Sequence, residues 1–201
     1  TIELYKTLII YIWIYHIFVY NHIKGVVMKD KNYILSLFEY NSWANSETYR
    51  MVSAMPEDEV NKVRKTPLQS IFVSLHHLVN VDLIWIAHMQ FKSHKISELR
   101  EVKYKTLEEL WNVRKQIDLE LIEYVKNLSE SDLTEVIQYE LIGGNKGMLS
   151  RAMCLIHLVT HSSYHRGWIS DMFGQADCQQ PSTDIPVYER ALREKGGPPL
   201  P

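Results

Sequence analysis

The sequence predicts an all-α protein, an antiparallel four-helix bundle with a small β-hairpin between its third and fourth helices. Apolar residues recur at helical spacing through long stretches of the chain. Modest connections join those stretches, and a bundle is the simplest way to bury their apolar stripes together. The hairpin follows from EVIQYELIGGNKGML, where β-branched and aromatic residues surround Gly143-Gly144-Asn145.

The first element is the exception. From Leu8 to Tyr20 the chain reads LIIYIWIYHIFVY, an apolar run broken only by His16. It is short of the roughly 20 residues of a membrane span, and it lacks the basic start and small-residue cleavage site of a signal peptide. Met28 is followed at once by polar KDKN. The expected organisation is an apolar extension over 1–27, which would be an anchor, an extra packed element or sequence not normally translated, and a bundle domain over 28–201.

The first bundle helix is expected over Tyr33 to Met55, where Ile34, Phe38, Ala44, Met51 and Met55 keep helical spacing and Pro56 stops it. At Thr66-Pro67-Leu68-Gln69 a Thr N-cap, a Pro in first position and a Gln in third form a capping box. It should open a second helix running to about Phe91. A second box, Thr106-Leu107-Glu108-Glu109, opens the third, whose Leu107, Leu110, Ile117, Leu121 and Tyr124 make one stripe ending near Leu128. After the hairpin a fourth helix is expected from about Leu149 to Phe173, with Gly174 as terminator. A short helical stretch near Val187 to Arg193 follows in a Pro- and Gly-rich tail.

Composition narrows the function. A formal net charge of -2, with Lys and Arg scattered along the chain, lacks the electrostatic footprint of a nucleic-acid-binding domain. Cys154 and Cys178 are too few for a disulfide framework and form no CxxC pair. A reducing, cytoplasmic setting is expected.

The chemistry-bearing stretch is HLVTHSSYHRG, which puts His157, His161 and His165 at intervals of four. On a helix that spacing stacks the imidazoles in one stripe. His76 and His77 point about 100° apart, and His77 shares the inward face with Val73, Ile84 and Trp85. Bundle interiors build metal sites from side chains on facing helices. His77, His161 and His165 would supply three imidazole ligands, the usual protein complement of a reactive zinc site. The alternative is that His161 and His165 are core-edge histidines satisfied by hydrogen bonds. His16, His22, His88 and His94 read as solvated or locally bonded. A protease helix of the H-E-x-x-H type is excluded, since Ser162 and Leu158 stand where its Glu would be.

Three stretches together, YNSWANSETY, SIFVSLHHLVNVDLIWIAHM and HLVTHSSYHRG, resemble the DinB and YfiT-like family of metal-binding four-helix bundles. The likeness runs from about Asp30 to Leu192. It implies His77, His161 and His165 as metal ligands, matches Asp82 to an acidic residue of the pattern, and leaves His157 outside the ligand set. Trp168 departs from the pattern, where many members have Gln. The resemblance implies a divalent transition ion, zinc or nickel. Imidazole ligation likewise argues against magnesium or calcium. It also implies a thiol transferase using a bacillithiol- or mycothiol-type cosubstrate on a small molecule, and a homodimer. A metal-dependent hydrolase and a non-catalytic metal-binding stress-response module are the alternatives. No acid or base is assigned; Tyr164 and His157 would orient groups near the metal. Asn41, Trp43, Asn45 and Arg166 are expected to be structural, with Arg166 paired to Asp82 or Glu39.

Overall fold

The computed structural model describes residues 30–197 and residue 200. The extension over 1–27, with His16 and His22, lies outside the described residues. The elements in chain order are α1 (Lys31–Ser53), α2 (Glu57–Asn61), α3 (Ile71–Met89), α4 (Leu107–Asn127), α5 (Glu130–Leu133), β1 (Val136–Glu140), β2 (Lys146–Ser150), α6 (Arg151–Gly174) and α7 (Ile185–Glu194). Four long helices, α1, α3, α4 and α6, form the bundle, and the hairpin stands between the third and fourth of them as expected.

Contacts along the helices fix their directions. Lys31 reaches the carbonyl of Lys126 while Tyr49 packs on Trp111, so α1 and α4 are antiparallel. His77 meets His161 while the Met89 carbonyl meets Arg151, so α3 and α6 are antiparallel too. Asp82 meets Arg114 and the Met89 carbonyl meets Tyr124, so α3 and α4 run side by side in the same direction. Parallel neighbours need a connection that returns the full length of a helix. Residues 90–106 provide it: α3, with 19 residues, is about 28 Å long, well within the reach of that segment. On its way back the segment is fastened to α3, where Asn80 Nδ2 donates to the Glu101 carbonyl at 2.9 Å.

Among the described residues α3 is the one helix long and apolar enough to cross a membrane, yet 78% of its most apolar window is buried inside the protein. It is the core helix, covered by α4, α6 and the returning segment.

Several boundaries differ from expectation for local reasons. The second bundle helix does not start at the Thr66 box. Gln69 has φ 64°, outside helical space, and Thr66 to Gln69 form a turn closed by Gln69 N–H to the Thr66 carbonyl at 3.1 Å. Ser70 takes over as N-cap, its Oγ accepting from Val73 N–H. The Thr106 box does form, with both reciprocal hydrogen bonds. Helix α6 begins at Arg151, because β2 runs straight into Ser150, which caps it through Met153 N–H. Gly174 is the last helical residue and not a left-handed terminator; the left-handed residue is Asp177, φ 50°. Gly143 and Gly144, φ 106° and 88°, supply the conformations the hairpin turn requires. The strands pair from Val136↔Ser150 to Glu140↔Lys146.

A polar chain crosses the interior and touches all four bundle helices. Arg114 of α4, 1% exposed, donates from Nη1 to Asp82 Oδ2 of α3 at 2.6 Å and holds Asp118 Oδ1 at 2.8 Å. Asn45 Nδ2 of α1 donates to Asp118 at 3.0 Å. Arg166 of α6 donates from Nη1 to Asn41 Oδ1 at 2.6 Å and Asn45 Oδ1 at 3.0 Å. The expected pairing of Arg166 with Asp82 or Glu39 is therefore corrected: α4 lies beside α3, so Arg114 takes Asp82, and Arg166 turns to the α1 asparagines instead.

Two substitutions test this account. Arg114→Met leaves Asp82 buried and unpaired and should lower the unfolding free energy by about 3–5 kcal/mol in a urea titration. Arg50→Ala, which breaks an exposed pair with Glu47, should cost under about 1 kcal/mol. Separately, Ser70→Ala should destabilise by about 1 kcal/mol, whereas Thr66→Ala should be near neutral because Thr66 Oγ1 has no partner among the described residues.

Candidate metal centre

The i, i+4 spacing on α6 and the antiparallel approach of α3 bring three imidazoles to one point. His77 Nε2 lies 3.2 Å from His161 Nε2 and 3.2 Å from His165 Nε2. All three donor atoms fall within 4.8 Å of one another. His77 and His165 are buried and His161 half-buried.

The Leu99 carbonyl lies 3.3 Å from His77 Nδ1, and a carbonyl only accepts, so Nδ1 carries the proton. The neutral ring then has a bare Nε2, whose lone pair faces both neighbours and is free to accept a proton donor or a metal ion. A nitrogen–metal distance of about 2.0–2.1 Å at tetrahedral angles places ligand nitrogens about 3.3 Å apart. The observed 3.2 Å matches that spacing. The residues present therefore fit a divalent transition ion, and the cluster could hold one.

Electrostatics keep the donors unprotonated. Burial lowers the His161 pKa to about 3, helped by His165, His77 and His157. Burial lowers His165 to about 4, helped by His77. His77 is lowered as well, by burial first, against the Leu99 backbone contact and with the Arg100 charge adding to the fall. At neutral pH each ring thus presents a lone pair.

The surrounding residues divide by side. His157, one turn before His161, stays outside the cluster: its ring packs on Trp85 at 4.8 Å and lies 5.4 Å from His161. Tyr164 and Trp168 flank His165 at 5.1 and 4.9 Å and touch each other. His76 is fully buried on another face of α3, bonded to the Phe72 carbonyl at 3.0 Å and to Tyr104 N–H at 3.2 Å. Asp82 belongs to the Arg114 pair. His88 and His94, read as solvated or locally bonded, pack on each other with centroids 5.5 Å apart, because the returning segment folds over the end of α3.

The residue that sequence reasoning missed is Leu99. It acts through its backbone, which no side-chain pattern reveals. Asn80 and His76, polar residues on a mostly apolar helix, are the available sign that something other than a helix covers that side of α3.

A four-helix bundle with three histidines converging from two facing helices defines the class: a DinB-like helical bundle with a potential metal site. The DinB family model matches residues 28–196, and the chain belongs to the DinB family. It is 26% identical over 167 residues to protein DinB of Bacillus subtilis (strain 168), covering 78% of this chain and 94% of that protein. It is 22% identical over 138 residues to the uncharacterized protein YizA of the same organism, covering 68% and 84%. The fold is similar to that of a DinB-like protein from Bacillus cereus ATCC 10987, with TM-score 0.57 at 15% identity, over 74% of this chain and 94% of that one.

Proposed function

We propose that this DinB-family protein holds a zinc or nickel ion through His77, His161 and His165 and uses it to transfer a low-molecular-weight thiol of the bacillithiol type to a small electrophile in the cytoplasm, as a homodimer. The observation that supports it most is the approach of His77 Nε2 to both His161 Nε2 and His165 Nε2 at metal-ligand spacing. Three protein donors are one fewer than a closed structural zinc site uses.

When bound, a divalent ion supplies the positive charge that favours a thiolate over a thiol at neutral pH. The protein's own residues set the conditions for it. Leu99 fixes the His77 tautomer and ring direction, as a backbone carbonyl commonly does for a ligand histidine. Burial keeps all three imidazoles neutral, so none of the positive charge is cancelled by its ligands. Tyr164 and Trp168 shield one side of His165 from water and offer an apolar wall beside the site.

Elemental analysis should find transition metal in the wild type, with one equivalent per chain held by the triad. His161→Ala, with the fold unchanged by circular dichroism, should hold one equivalent less than wild type; equal content in both would remove the triad from the reading.

In the cobalt-substituted protein, titration with bacillithiol or a similar thiol should raise a thiolate-to-metal charge-transfer band. Loaded protein that shows neither this band nor esterase activity is a metal-binding module and not a transferase. Esterase activity without thiol binding assigns it to the hydrolases.

A further inference from the structure

Eleven residues along α3 from His77, about 16 Å away, a second pair of imidazoles meets. His88 sits in the last turn of α3 and His94 in the returning segment. Their ring centroids are 5.5 Å apart; those of the triad are 4.4 to 5.1 Å apart. Among the described residues His88 Nε2 and His94 Nδ1 are buried without a hydrogen-bond partner. A desolvated ring nitrogen with no partner is unfavourable, and two of them on neighbouring rings mark a place for something that accepts their lone pairs.

The space beside His88 is consistent with that. His88, Tyr139, Glu140, Lys146 and Met148 line a cleft of about 540 Å³ between α3 and the hairpin. Burial lowers the His88 pKa, His94 lowers it further, and the Glu140 backbone and carboxylate oppose both. Glu140 also meets Lys146 at 3.3 Å.

We propose that His88 and His94 form a second transition-metal site, distinct from the triad, binding zinc, nickel or copper through His88 Nε2 and His94 Nδ1. Imidazole pairs select these ions over magnesium and calcium. The cleft leaves room for water or a small anion as the remaining ligands, and the Glu140 carboxylate offsets the ion's charge. Because one ligand is on the helix and the other on the returning segment, the ion clips the start of that segment to α3. The same segment carries Leu99 to His77.

The test is stoichiometry on the full, tag-free chain stripped of metal and titrated with zinc alone, then desalted and analysed for metal. Wild type should retain two equivalents. His88→Gln with His94→Gln should retain one, and His77→Ala with His161→Ala should retain the other. His94→Gln alone, outside any helix and so a mild change to the fold, should weaken the second equivalent by at least about 10-fold in a chelator competition. One equivalent in wild type, or two in the His88/His94 variant, overturns the proposal. A triad variant that still holds one ion while wild type shows no thiol band would defeat the transferase reading and leave this site standing.

Discussion

Two guanidinium groups buried at the centre of the bundle constrain everything built around them. A buried charge is tolerated only when partnered, so Arg114 and Arg166 require specific side chains from the other helices. Arg114 draws in Asp82 and Asp118; Arg166 draws in Asn41 and Asn45. Asn45 belongs to both halves, accepting from Arg166 and donating to Asp118. Apolar packing alone tolerates a helix rotated by some tens of degrees. These pairings do not, because rotation would strand a charge.

The consequence for the site follows from one residue step. Arg166 and His165 are adjacent, so their side chains leave α6 about 100° apart. With Arg166 held toward α1, His165 is turned toward α3, and His161 one turn earlier turns with it. The polar chain thus sets the rotation of the very helix that carries two of the three converging nitrogens. On the facing side His77 has its own anchor, since the returning segment is tied to α3 through His76, Asn80 and Leu99. A parallel α3–α4 pair imposes that long segment, and its path over the inner end of α3 makes it part of the site.

This division explains what was legible in the sequence. Helix identity and the triad were, because both are periodic: an apolar stripe declares a helix, and His161 and His165 four apart declare a shared face. The two Thr-led boxes show where the reading weakens. Thr106 caps α4 as written, but the equivalent pattern at Thr66 loses to Ser70, which lies immediately before the apolar run that begins at Ile71 and competes for the same first turn. Direction of packing was not legible, since a parallel neighbour depends on the path of a loop with no periodic signal. Arg114 was hidden for a related reason. It stands among Lys115, Glu120 and Glu123 on a helix rich in charge, and only the approach of α3 distinguishes it from a solvated residue.

Aromatic packing supplies the remaining constraint, the orientation of the rings themselves. His165 is held edge-on between Tyr164 and Trp168, and His161 lies next to His157, which leans on Trp85. Neither His161 nor His165 has a hydrogen bond at Nδ1 among the described residues, so neighbouring rings and not a carbonyl limit their rotation. The two sides of the cluster are therefore built differently: hydrogen-bonded at His77, sterically confined on α6. Trp168 carries part of that confinement, its ring centroid lying 4.9 Å from that of His165. Burial, with His77 adding to it, disfavours an imidazolium at His165, and so favours the neutral state that ligation requires.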